Sequence, residues 1–122
     1  MLLAETYPAE ALDQFGLRLR KAGGRGSKRR QSDRASLAEA LRERFDRLQV
    51  RLSVDLGAAL DSGFGADASG EDRFDSVLGL ACVLSILSGQ RADLVPEDPW
   101  VRCWEGWVLG LSPDDTAPGE FV

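Results

Sequence analysis

The chain contains no histidine, and with that residue go the Ser-His-Asp and Cys-His arrangements of nucleophilic catalysis. Cysteine is nearly as scarce. Cys82 and Cys103 alone, with no imidazole to help, argue against a structural zinc site. Both are expected to be buried free thiols, Cys82 within an apolar helix and Cys103 beside Trp104. No apolar run reaches the roughly 18 residues of a membrane span. The longest, from Val77 to Leu87, is interrupted by Gly79 and Ser85. The opening MLLAETYPAE has neither a basic n-region nor a long apolar stretch, so it does not read as a secretory signal and the expected location is cytoplasmic.

What is present suffices for one small domain. At 122 residues and 43% hydrophobic composition, the chain can bury a real core but not two. We place the domain at residues 1–110 and read SPDDTAPGEFV, at the end, as a flexible tail. The net charge of −5 hides a division. Basic residues crowd between Arg18 and Arg34, with Asp33 the only acid among them, whereas from Asp55 onward only Arg73, Arg91 and Arg102 are positive. Such asymmetry can set a phosphate-binding face against a metal-binding face; it is equally what a solvated basic loop looks like.

Along the chain, LLAET reads as a short strand and Tyr7-Pro8 as a helix entrance, with Gly16 as the stop. KAGGRGSKRRQ, residues 21–31, reads as a mobile loop, and its order of residues is not that of a nucleotide P-loop. A second helix is expected from Asp33, with Leu37, Leu41, Phe45 and Leu48 on its core face and Ser36 and Glu39 as a capping box. QVRLSVDL alternates like a strand yet keeps the helical spacing Leu48, Leu52, Leu56 and Leu60; we read it as helix. GFGADASG is a loop. Gly89 ends the apolar helix that follows. Trp100, Trp104 and Trp107 are expected to pack on the core, and WEGWVLG to be a short extended segment.

The most informative pair lies where that apolar helix starts. In EDRFDSVLGL, Asp72 and Asp75 are one turn apart, so their carboxylates can converge on one cation. With no polar stripe after them, the helix should be buried and its acidic end presented at a cleft. The same residues also suit an ordinary helix start, where acids are favoured by the helix dipole.

ETYPAEAL, GSKRRQ, GEDRFDSVLGL and CWEGWVLG, in this order, resemble the domain-of-unknown-function family four-two-nine, whose members are regarded as predicted nucleases of ribonuclease H-like fold. The match runs from about Leu2 to Gly110. It implies an α/β, helix-rich chain: the C-terminal part of a ribonuclease H-like fold, with one or two strands, three to four helices and the N-terminal strands missing. It also implies a magnesium- or manganese-dependent phosphodiesterase with Glu5, Asp72 and Asp75 as catalytic metal ligands, since paired cations on a phosphodiester are bridged by several hard carboxylate oxygens.

Arg25, Lys28, Arg29 and Arg30 are the matching candidates for gripping nucleic-acid phosphates. Family members carry a further aspartate on an earlier strand, which this chain lacks. A fragment or shortened relative is therefore expected, with an exposed sheet edge that favours a homodimer or an N-terminal partner. The alternative function is a non-catalytic nucleic-acid-binding or oligomerising module that keeps the fold without turnover. Glu105 in the Glu-Gly-Trp segment is read as structural rather than as a fourth ligand.

Overall fold

A computed structural model describes residues 4–21, 24–105 and 107–110. Ala4–Glu5 form β1, and Tyr7 stays extended before Pro8, so helix α1 (Pro8–Gln14) begins with proline at a first-turn position that needs no N–H. Gly16 then adopts φ +66°, with the Leu17 N–H bonded to the Leu12 carbonyl and the Gly16 N–H to that of Asp13, which closes the helix end. At the start of the segment expected to be a mobile loop, a small antiparallel pair forms, β2 (Arg20–Lys21) with β3 (Gly24–Arg25), and residues 26–30 follow as turn and irregular backbone.

The second helix divides. Helix α2 (Gln31–Ala35) is followed by α3 (Ala38–Arg47), whose N-cap is Leu37 without a side-chain cap bond. The Ser36 hydroxyl donates to the Asp33 carbonyl, so the expected capping box does not form. The predicted core face does hold, because Leu37, Leu41, Phe45 and Leu48 are all buried. Nor does this helix run on into QVRLSVDL. Gln49 takes φ +58°, and the Val50 N–H returns to the Phe45 carbonyl, the same closure as at Gly16 but without glycine. Helix α4 (Val54–Asp61) starts afresh under Ser53, whose hydroxyl accepts from the Leu56 N–H.

Helix α5 (Gly70–Leu87), 18 residues and about 27 Å long at 1.5 Å per residue, is the axis of the molecule. It packs chiefly on α1 and touches α2. Phe74 meets Phe64 edge-on at 6.2 Å, and Phe74, Leu78 and Ala81 are fully enclosed. Its burial is one-sided, however: Leu80 is 47% and Leu87 77% exposed. Gly89 ends it as expected, at φ +76°.

A π-helical turn at Val101–Glu105 leads to β4 (Trp107–Val108), which pairs parallel to β1 with Ala4 opposite Trp107 and Glu5 opposite Val108. The architecture is mixed α/β and helix-rich, with two two-stranded sheets among the described residues. Among the described residues there are four short strands and five α-helices, where one or two and three to four were expected.

Two aromatic and thiol expectations change. Trp100 is 61% exposed rather than packed on the core, and Cys103 is exposed, while Cys82 is buried and free. Trp107 is half-buried. The packing of Trp104, the role of Glu105 and the tail 111–122 lie outside the described residues and side chains.

Candidate functional site

Two charged regions stand out in the sequence, and the structure treats them differently. At the mouth of α5, Asp72 is exposed, its backbone carbonyl accepts from the Ser76 hydroxyl at 2.8 Å, and its carboxylate makes no ion pair among the described residues. Asp75 is half-buried, and both its oxygens accept from the Lys28 ammonium, at 2.7 and 2.9 Å. Glu5 is exposed on β1, where its carbonyl accepts from the Leu109 N–H at 2.8 Å. The strand does reach this helix: a Cβ on Gly79 would stand 2.9 Å from the Thr6 hydroxyl, and Gly79 lies one turn beyond Asp75 on the same face. Yet among the described residues no group of three or more histidine, cysteine or acidic side chains is gathered closely enough to hold a metal ion. The donor set that a two-cation site requires is therefore not assembled by Glu5, Asp72 and Asp75 as they stand.

The basic segment makes a cleft. The Leu-Arg-Leu-Arg alternation at residues 17–20 sends Leu17 and Leu19 back to pack against the core, and the turn after β3 folds over α1. Between them opens a space of about 740 Å³ lined by Ala9, Leu12, Asp13, Leu17, Arg18, Leu19, Gly24, Arg25, Gly26 and Lys28. The turn is held from beneath. The Ser27 N–H donates to the Asp33 carboxylate at 2.8 Å, and the Gly26 N–H to the Leu19 carbonyl at 3.1 Å.

Arg34, only 3% exposed, donates to the carbonyls of Lys28, Gly63 and Gly65 and so ties the basic turn to the loop before α5. Gly63 is required for this junction. Its φ is +61°, and a Cβ there would collide with the Gln31 carbonyl oxygen.

The cationic candidates consequently separate. Arg25 and Arg29 are exposed and make no ion pair among the described residues. Arg30 reaches Asp33 at 3.6 Å with half its side chain still in solvent, and Lys28 is committed to Asp75 while also lining the cleft. Arg18, absent from the expected phosphate-gripping set, joins Arg25 on the cleft wall. The alternation of residues 17–20 is the sequence signal that points to it. Asp13 is the single acid in the lining and carries no ion pair among the described residues.

Among the described residues, Asp67 and Cys82 are shifted from their ordinary acidity. The Ser69 hydroxyl donating to Asp67, with Arg73 beside it, holds that carboxyl below the usual carboxylate range; burial pushes the Cys82 thiol up, against a smaller opposing pull from Arg91. Neither lies in the cleft. No helix among the described residues is long and apolar enough to cross a membrane. No family model, curated protein or solved structure matches the chain.

Proposed function

We propose that this chain is a nucleic-acid-binding module that does not turn over substrate by itself. The observation that carries the reading is the convergence of Arg18, Arg25 and Lys28 on one cleft beside the exposed Arg29. A net negative protein still binds a polyanion where its cations cluster locally, and arginines without internal carboxylate partners are available to phosphates. Filter binding at low and high salt, with and without magnesium, tests it. Binding should weaken steeply with salt and ignore magnesium, and no shortening of the strand should accompany it. An absence of binding at low salt would sink the proposal.

A second reading keeps the predicted nuclease of ribonuclease H-like type, with Glu5, Asp72 and Asp75 as magnesium or manganese ligands. Its support is the parallel β1–β4 pair, laid so that Thr6 meets α5 one turn from Asp75. It requires Asp75 to be released from Lys28 and brought together with the other two acids. If Asp75→Asn binds metal and cleaves like the parent chain, this assignment fails.

Either reading fits association through β1, whose outer edge carries no strand among the described residues, or through the exposed Leu80 and Leu87 of α5. A homodimer or an N-terminal partner would cover them. Two free thiols, one of them exposed, favour a reducing, cytoplasmic setting.

A further inference from the structure

The cleft has a composition that phosphate binding alone does not require. Cations on an open surface suffice to hold a backbone, but here Arg18, Arg25 and Lys28 stand around a floor that includes Leu12, Leu17 and Leu19. A volume of about 740 Å³ is that of a site for a compact organic group. Asp13 is also unexplained by phosphate binding, because a carboxylate weakens a polyanion site and this one is not held by any of the three cations around it.

We propose that the cleft takes one unpaired nucleotide of a single strand, its base over the leucines and its phosphate on the cationic rim, and that Asp13 selects bases carrying an exocyclic amine. This rests on the nucleic-acid reading above and narrows it. A duplex presents phosphates but keeps its bases stacked, and extracting one means breaking a pair; a single strand splays bases at little expense. The apolar floor covers the face of the base, and the Arg18 guanidinium offers a flat cation for it to lie against.

An ionised carboxylate only accepts hydrogen bonds. Cytosine, adenine and guanine each offer it an exocyclic amine, whereas thymine and uracil carry at that position a carbonyl oxygen, which the carboxylate repels, and offer only the ring N3–H flanked by two such oxygens. Preference for amine-bearing bases follows.

Fluorescence anisotropy with labelled oligo-dC, labelled oligo-dT of equal length and a mixed-sequence duplex, at low salt and neutral pH, tests the proposal. Oligo-dC should bind on the order of tenfold more tightly than oligo-dT. Asp13→Asn should bring that ratio near one, because an amide both donates and accepts; Asp13 is exposed, so the fold does not depend on its charge. Ala9→Trp, at another exposed position on the cleft wall, should fill the space and reduce single-strand affinity to that of the duplex. Equal affinity for oligo-dC and oligo-dT, or a duplex bound as tightly as a single strand by the parent chain, would overturn this inference and leave the nucleic-acid reading standing. No binding to any of the three at low salt would remove the reading itself.

Discussion

The basic segment and the acidic mouth of α5 are both dense in one sign of charge, but they are built to opposite ends. Around the mouth of α5 the acids are separated or satisfied one at a time: Asp75 by Lys28, Asp67 by Ser69 and Arg73, while Asp72 and Glu5 face solvent. In the basic segment the side chains divide by depth. Arg34 is consumed as internal mortar, whereas Arg18 and Arg25 share a wall and Arg29 stands free of ion pairs among the described residues. Charge density along a chain therefore does not define a site. What defines it is whether the backbone gathers the charges and leaves them without partners.

The largest expected effect tests that division. Arg34→Ala removes a buried cation from three carbonyls and should lower unfolding free energy by about 3 kcal/mol or more in chemical denaturation. Arg34→Lys should recover less than half of this, since an ammonium cannot span the same fork. Arg29→Ala should change stability by less than about 0.5 kcal/mol, as an exposed substitution does. If the two alanine variants were equally stable, the separation into internal and available cations would be wrong.

The Lys28–Asp75 pair links the two regions and ranks next. It is half-buried, with both carboxylate oxygens engaged, so a double-mutant cycle with Lys28→Met and Asp75→Asn should give a coupling of about 1 kcal/mol. A coupling near zero would mean that the turn after β3 is not anchored to α5 through this ion pair.

Smaller still is the acid dependence of Asp67. Its carboxyl is held below the unfolded value of about 3.9. Its contribution is present above that value and is lost as pH falls through the lower folded value. Asp67→Asn should slightly lower stability at neutral pH and flatten the acid limb of the profile, so that the variant and the parent chain converge below about pH 4. The thiols supply a readout without titrating the charged regions: Cys103 should react at once with a disulfide reagent, and the buried Cys82 only on unfolding.

Much of the architecture was legible because it rests on local rules. Pro8, Gly16 and Gly89 mark helix ends through backbone chemistry, and the spacing of Leu37, Leu41, Phe45 and Leu48 reports a buried face directly. Where the reading failed, the cause was tertiary. Gln49 enters the left-handed region although its type gives no such signal, so the leucine spacing through Leu56 imitates one continuous helix. The glycines of the basic segment suggest mobility, but Asp33 and Arg34 from the helix that follows, and Asp75 from a distant part of the chain, bind that turn.

The acidic pair illustrates the same limit. Sequence spacing puts Asp72 and Asp75 on one side of a helix, but it cannot show that Lys28, far away in sequence, already holds one of them. Asp13 escapes a linear reading as a site residue because a cleft wall assembled from α1 and the β2–β3 pair has no linear motif, and for Arg18 the alternation of residues 17–20 is the one local signal.

If Arg18, Arg25 and Arg29 are the cations that meet a polyanion, the salt dependence of single-strand binding must reflect all three. Affinity should be measured across a salt series for the parent chain and for the Arg18→Gln, Arg25→Gln, Arg29→Gln triple variant. Each phosphate neutralised on a single strand adds roughly 0.7 to the slope of log affinity against log salt, so the triple variant should show a slope smaller by about 2. An unchanged slope in a folded triple variant would contradict the account.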